Sequence, residues 1–385
     1  MDFREEYMFL EKRLKRQILG REHFFRVLSP IGFEGVLAGE LNRLGIAEVK
    51  SDLGTVFFHG KLEEAIKICA FSRSARRVDM KIDSFRAENF GKFEKKWSEI
   101  PFELYLPKHT LPSIQVKCKK SRLYHSDAIS ERAENILKEK SFTDLNENQK
   151  VYIDFENDKC EIFIGLSGEP LYKRGLSRYT ECAPLQETLA YGILQFAGAF
   201  CAPMLIDPMC GSGTFSLETA SVVSGLFPAK TRKFAFMEFP SFKENPWKHL
   251  LKNPPVTSVP EAYSIWTSDK SEKAIETVLY NTHLYHFDSI IHPVEQDFLD
   301  SKIIHPEGAL IVLNPPYGIR MKANTETLYK EIRRKIRSDY KDCKIALICP
   351  THKILHSFAP SILNAIRTNH GGLDIFVIFT LGKKL

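Results

Sequence analysis

The residues best placed to do chemistry are Asn314-Pro315-Pro316-Tyr317. They follow Gly308-Ala309-Leu310-Ile311-Val312-Leu313, an apolar run that reads as a buried strand ending at a sheet edge. The amine of a guanine or adenine is a poor nucleophile because its lone pair is delocalised into the ring. Accepting hydrogen bonds from both amine N–H groups localises that pair. The side-chain oxygen of Asn314 and the backbone carbonyl of Pro315 can do this. Proline after Asn314 holds it extended, Pro316 prolongs the rigidity, and Tyr317 can stack on a base. Such a site suits methyl transfer from an activated donor, where positioning supplies most of the acceleration and no strong general base is needed. The base must be unpaired or flipped out. The plain alternative is a rigid turn after a strand.

A second constellation precedes it. Asp207-Pro208-Met209-Cys210-Gly211-Ser212-Gly213-Thr214 sits between a strand pattern and a helix pattern. Gly211 and Gly213 let the backbone turn sharply and approach a ligand, and the helix start offers unpaired N–H groups. No Gly-Lys-Ser/Thr follows, so it is not a phosphate loop, and the three-glycine dinucleotide spacing is missing. Asp269 lies just past the next strand and can accept both hydroxyls of a ribose, or cap the helix that begins near Glu272. Asp297 follows a third strand and could hydrogen-bond an adenine amino group, with Phe298 against the ring; a solvated turn is the alternative. Cys210 invites a nucleophile reading, but that chemistry wants a cysteine where Pro316 and Tyr317 stand, so it reads as pocket lining. His283, His286 and His292 lack ligand companions, and no metal is expected.

The elements that would position these groups form a strand–helix series from Leu185 onward. Strands are expected at Met204 to Asp207, Ser264 to Thr267, Ile290 to Glu295, Ala309 to Leu313, Cys343 to Cys349 and Leu373 to Leu381. Helices are expected at Gly213 to Ser224, Glu272 to Leu284, Glu326 to Arg337 and Phe358 to Arg367. The long segment Phe227 to Val259, rich in Phe, Lys and Pro, reads as an excursion over the active-site face; its Asn253-Pro254-Pro255 lacks a preceding strand and reads as loop.

Upstream, residues 24–83 read as a small α+β sandwich, with a hairpin turning at Asp52 to Gly54 and a helix over Leu62 to Phe71. Ile114 to Lys119 alternates apolar and basic residues, so Lys117 and Lys119, with Lys120 and Arg122, concentrate positive charge. A helix from about Ser126 and a hairpin over Tyr152 to Gly165 follow. Residues 1–20 carry Tyr7, Leu10, Leu14 and Ile18 at helical spacing, either packing on their own domain or touching RNA or a partner.

Size and composition agree with two or three ordinary globular domains: 385 residues, 43% hydrophobic and 26% charged. The net charge of +6 is a mild bias toward polyanions. The eight cysteines show no metal spacing and read as buried hydrophobes in a reducing cytoplasm. The apolar stretch Gly192 to Ile206 is broken by Gln195 and Pro203, so no membrane span is expected.

These segments resemble the class I S-adenosylmethionine-dependent methyltransferases. The stretch Val116 to Ile136, with Ser121-Arg122-Leu123-Tyr124-His125, looks like the THUMP RNA-binding domain. Arg174-Gly175, Ala183 to Ala190, Asp207 to Thr214 and Asn314 to Arg320 follow in the order seen in the THUMP-containing RNA guanine-N2 methyltransferases. Gln186 departs from a frequent lysine and reads as helix surface. The bifunctional bacterial relatives carry a second methyltransferase domain, and this chain ends without one. The resemblance covers roughly residues 22–385 and implies an α/β fold: a Rossmann-like seven-stranded methyltransferase domain preceded by an α+β ferredoxin-like/THUMP part. The expected divisions are 1–20, 21–97, 98–166 and 167–385.

The resemblance further implies donor binding by Asp207, Gly211, Gly213, Asp269 and Asp297, with Pro184, Leu185 and Thr188 walling the pocket. Catalysis falls to Asn314, Pro315 and Tyr317. The expected product is N2-methylguanosine in 23S ribosomal RNA, made by a cytoplasmic monomer with S-adenosylmethionine as its cofactor. Transfer RNA guanine is the runner-up, then adenine N6 in DNA. The rival from another class is a catalytically silent RNA-binding assembly factor.

Overall fold

The computed structural model describes residues 3–175, 184–230, 232–300, 302–316, 325–358 and 364–385. The chain divides into two compact units. The first comprises Met1–Leu28, Ala38–Gly175 and Thr231–Pro254; the second Ser29–Leu37, Leu176–Lys230 and Pro255–Leu385.

The first unit holds strands β1 (His23–Leu28), β2 (Lys50–Asp52), β3 (Thr55–Gly60), β4 (Arg77–Arg86), β5 (Thr110–Lys119), β6 (Asp144–Glu156) and β7 (Lys159–Gly165). They form one sheet in the order β2-β3-β1-β4-β7-β6-β5. All its pairs are antiparallel except β5 with β6. The sandwich expected for residues 24–83 is therefore continuous with the strands of residues 110–165. Pairing of β4 with β7 runs from Asp79–Gly165 to Arg86–Lys159 and joins both parts into one sheet. Phe25, Val27, Val78, Met80, Ile153 and Ile162 bury one face completely. Phe93 and Trp97 of the helix Phe90–Glu99 and Ile129, Ala133 and Leu137 of the helix Ser126–Glu139 join that core. The helix Leu62–Phe71 begins where expected, because Glu64 accepts the N–H of Lys61 at 2.7 Å.

At the N-terminus the helix Phe3–Leu14 runs into a π turn, Lys15–Leu19. That turn shifts the apolar stripe: Leu14 and Ile18 are buried, while Tyr7 is exposed. Arg13 pairs with Glu103 at 2.7 Å, so the arm packs on its own unit.

Of the long segment Phe227 to Val259, Thr231–Pro254 packs with the first unit. The reason is polar. The Arg232 guanidinium donates to the carbonyls of Ser167, Glu169, Pro170 and Lys173, and Gln149 donates to the Ala235 carbonyl.

The second unit holds β8 (Met204–Asp207), β9 (Ser264–Asp269), β10 (Ile291–Glu295), β11 (Leu310–Leu313), β12 (Lys344–Cys349), β13 (Ala365–His370) and β14 (Leu373–Leu381). Their order is β10-β9-β8-β11-β12-β14-β13, parallel except for β14. Both faces are covered, which is why β8 and β11 are apolar at nearly every position. Along β11, Leu310 and Val312 enter one core, while Ile311 and Leu313 enter the other. Strand order reverses between β8 and β11, and ligands in such sheets sit in the crevice at that reversal.

One expected helix is wrong. Phe358 to Arg367 is not helical as a whole; a short helix, His352–Phe358, precedes it, and Ala365–His370 is β13. β13 and β14 form a hairpin across Gly371 and Gly372, both with positive φ. Two adjacent left-handed residues are what a tight hairpin turn requires. No described helix is long and apolar enough to cross a membrane.

Candidate functional site

The carboxyl ends of β8 to β11 open on a cleft of about 390 Å³ in the second unit. Of the residues expected at a site, Pro184, Leu185, Cys210, Gly211, Asp269, Asp297, Phe298 and Asn314 line it. They come from separated stretches of chain that the fold brings together.

The glycine turn is shaped by conformation and contact. Gly211 and Gly213 have φ of +51° and +76°. A Cβ on Gly213 would come within 2.9 Å of Val278 Cγ2, so a side chain there would push the turn off the next helix. A Cβ on Gly211 would meet nothing within 4 Å. The turn leads into the helix Thr214–Val223. Gly213 lies behind the wall, not on it.

Asp269 is half-buried, and its two oxygens accept the N–H groups of Gly211 and Ser271, each at 3.0 Å. It does not cap the following helix. Ser271 does, accepting from Ala274 N at 3.4 Å. A carboxylate offers about four lone-pair directions, so Asp269 keeps acceptor capacity toward the cleft. Asp297 accepts the N–H of Leu299 at 2.9 Å. Phe298 is only 1% exposed and stacks on Tyr340 at 5.6 Å, so it forms the floor and not a free ring platform.

Asp207 lies beneath the cleft, 1% exposed. As the last residue of β8, it turns its carboxylate to Ser216, whose hydroxyl donates at 2.8 Å; Oδ1 has no partner among the described residues. Burial pushes its pKa up to about 7; the Ser216 hydrogen bonds oppose this and the charge of Asp269 adds to it. Thr188 is likewise fully buried, with Oγ1 unpartnered among the described residues. Burial, then the charges of Asp207 and Asp269, push the Cys210 thiol well up, so it stays protonated at neutral pH and is a poor nucleophile.

Asn314 is half-buried at the end of β11. Its Oδ1 is buried without a hydrogen-bond donor among the described residues, although a buried acceptor normally has one. Asn314 itself lines the cleft. Pro316 lines the cleft beside it, and Pro315 is buried between them. Tyr317 and the rest of its motif through Arg320 lie outside the described residues.

Met209, Lys270, Leu299 and Leu328 also line the cleft and were not singled out by sequence reasoning. The first three sit within two residues of a motif acid or glycine, which was signal enough to find them. Leu328, on the helix Thr325–Asp339, carries no local signal.

The basic residues lie in the first unit, on or just after the edge strand β5. Lys119 pairs with Glu156 at 2.7 Å, and Arg122 faces Glu88 and Asp158 at 3.6 and 3.7 Å. Lys117 and Lys120 make no ion pair among the described residues. Nor do those residues contain a group of three His, Cys, Asp or Glu that could hold a metal.

The donor set fits a nucleoside-bearing cofactor. It has an acid able to take ribose hydroxyls, a second able to take an amine, a wall of Pro184 and Leu185, and a turn with no Cβ in the way.

Comparison with known proteins agrees with this geometry. Residues 174–370 match the RMKL-like methyltransferase domain, and residues 25–79 match the RlmL ferredoxin-like domain. The ribosomal RNA large subunit methyltransferase K/L of Syntrophotalea carbinolica is 28% identical over 345 residues, covering 84% of this chain and 48% of its own. The chain thus spans about half the length of the K/L relatives it matches. A Synechocystis protein, slr0064, named provisionally as an RNA methyltransferase, is 30% identical, with 75% of this chain and 78% of its own covered. The crystal structure of SMU.472, described provisionally as a methyltransferase and complexed with SAH, superimposes with a TM-score of 0.83 at 22% identity, over 95% of this chain and 99% of that one. That last likeness is one of fold.

Proposed function

We propose a function for a chain that belongs to the RMKL-like methyltransferase family: it methylates the exocyclic N2 amine of a guanosine in RNA, with 23S ribosomal RNA as the substrate. S-adenosylmethionine supplies the electrophilic methyl group on a sulfonium. Asp269 takes the ribose hydroxyls of this cofactor and Asp297 the adenine amine, while Gly211 lets the backbone come close. Asp207 acts from below by holding the glycine turn and its helix through Ser216.

The observation that carries the reading is the donor-less Oδ1 of Asn314 at the mouth of β11, next to a rigid proline pair. An acceptor without a donor is complementary to an amine that must give up N–H hydrogen bonds. Asn314 accepts one N–H of the base and the Pro315 carbonyl the other, with Tyr317 stacked on the ring. The nitrogen lone pair then forms the N–CH3 bond as the S–CH3 bond breaks, and the amine proton leaves to water. The names of the K/L relatives support ribosomal RNA as the substrate.

The test is incubation of the protein with S-adenosylmethionine and with ribosomal or transfer RNA from a strain lacking the gene, followed by nucleoside mass spectrometry. N2-methylguanosine appearing in 23S RNA is expected. Its appearance only in transfer RNA would move the substrate, and methylation of no guanosine N2 would end the assignment. No heat with S-adenosylmethionine in calorimetry would favour an assembly factor.

A further inference from the structure

We propose that the outer face of the first unit's sheet is a stacking platform for unpaired bases of the RNA substrate, built on Phe24, Phe57 and His59. The inference rests on the RNA reading above and deepens it by giving a surface and a mode of binding.

The two faces of this sheet differ in chemistry. One is apolar and buried under helices. On the other, β1 and β3 alternate to half-buried Phe24, Arg26 and Phe57 and exposed His59. Register places these residues side by side: Phe24 opposite His59, and Arg26 opposite Phe57. The Phe24 and Phe57 rings are stacked at 5.5 Å, and His59 meets Phe24 edge-on at 5.1 Å. Lys81 Nζ stands 4.3 Å from the Phe24 ring centre.

The middle of the same face is more covered: the Arg26 and Arg77 side chains are 12% and 20% exposed, and Phe163 and Tyr152 beneath them are buried. Arg26 lies 3.7 Å over Phe163 and reaches Asp79 and Asp154; Arg77 lies 3.7 Å over Tyr152 and shares Asp79. Tyr152 pairs with Gln115, and Asp154 with Lys117, so the face continues to the lysines of β5. Five strand spacings separate β3 from β5, about 24 Å.

Charge selects the occupant. Asp79 is shared by two arginines, and Glu161 faces both Lys81 at 3.6 Å and Lys159 at 2.8 Å. Lys50, opposite Phe57, and Lys117 have no ion pair among the described residues. Rings interleaved with surplus cations suit a phosphate backbone with splayed bases better than an apolar protein surface.

The test is fluorescence anisotropy of a labelled single-stranded 12-mer oligoribonucleotide with the full chain. Phe57→Ala/His59→Ala should weaken binding roughly 10-fold or more, while Phe57→Trp retains it. Lys81→Glu, a charge reversal beside the Phe24 ring, should weaken it as well and serves if the double variant fails to fold. S-adenosylmethionine binding by calorimetry should be unchanged in all three. Folded variants that hold the oligonucleotide as tightly as the parent, or a parent that does not bind it, would overturn the inference. So would a parent dimer that the double variant dissolves in sedimentation, since the face would then serve a second copy. Guanosine N2 methylation is scored separately. Methylation with unaffected variants defeats the platform alone, whereas weakened RNA binding without any methylation defeats the functional reading alone.

Discussion

The carboxylate of Asp269 accepts the backbone N–H of Gly211 at 3.0 Å, so the acid at the end of β9 ties down the glycine turn at the end of β8. In the proposed reading the acid that takes the ribose also holds the loop that would cradle the donor.

Asp269→Ala should accordingly lose more than a ribose contact. Removing a charged acceptor of this kind costs about 1.5–3 kcal/mol per hydrogen bond, roughly 10- to 100-fold in affinity. Calorimetry with S-adenosylmethionine checks it. Unchanged affinity would remove Asp269 from the binding site.

Asn314→Ala should leave donor affinity nearly intact and lower turnover by about 10²- to 10³-fold, the loss typical of one positioned group acting at the transition state. Single-turnover methyl transfer alongside calorimetry separates the two effects. Retained activity would contradict the role given to the amide.

Asp207 gives a pH signature. Its folded pKa is raised from 3.8 to about 7, so between those values the native state holds a proton that the unfolded chain has released. Its contribution to stability therefore declines as pH rises across that window and is level above it. Asp207→Asn should flatten this part of the profile in chemical denaturation between about pH 4 and 7. An unaltered slope would mean that Asp207 is ionised throughout.

Gly213→Ala and Gly225→Ala form an internal control. Both glycines have positive φ, +76° and +65°, and an L side chain in that region costs about 1–2 kcal/mol. Only Gly213 adds a clash, with Val278. Thermal melting should show the larger loss for Gly213→Ala; equal losses would remove the close-packing argument.

How much of the molecule was legible in the sequence depended on what each element buries. β8 and β11 were plain because parallel strands covered on both faces are apolar without interruption. The helix Glu272–Leu284 was placed but its cap was not: Asp269 was weighed for that role, and Ser271 fills it. β13 was misread because most of it is half-exposed, so Ala365-Ile366-Arg367-Thr368 lacks a clean alternation, and its partner comes after the turn. Asn314, Asp269 and Gly211 could be found because each lies at or just past a strand end. That Asp207 and Thr188 lie behind the wall could not be read, since sequence fixes the strand end and not which neighbour its side chain faces. The continuity of the first sheet was hidden for a related reason: β4 and β7 are more than seventy residues apart, and no local pattern reports so distant a pairing.

The path of the chain has a consequence for biosynthesis. It passes from one unit to the other five times, after Leu28, Leu37, Gly175, Lys230 and Pro254. Arg232, whose guanidinium gathers four carbonyls of the first unit, comes after the second unit has already begun. A ribosome that has reached Gly175 has therefore not delivered a finished first unit, and a single protease nick there would not release one. Each unit matures only after part of the other has been made.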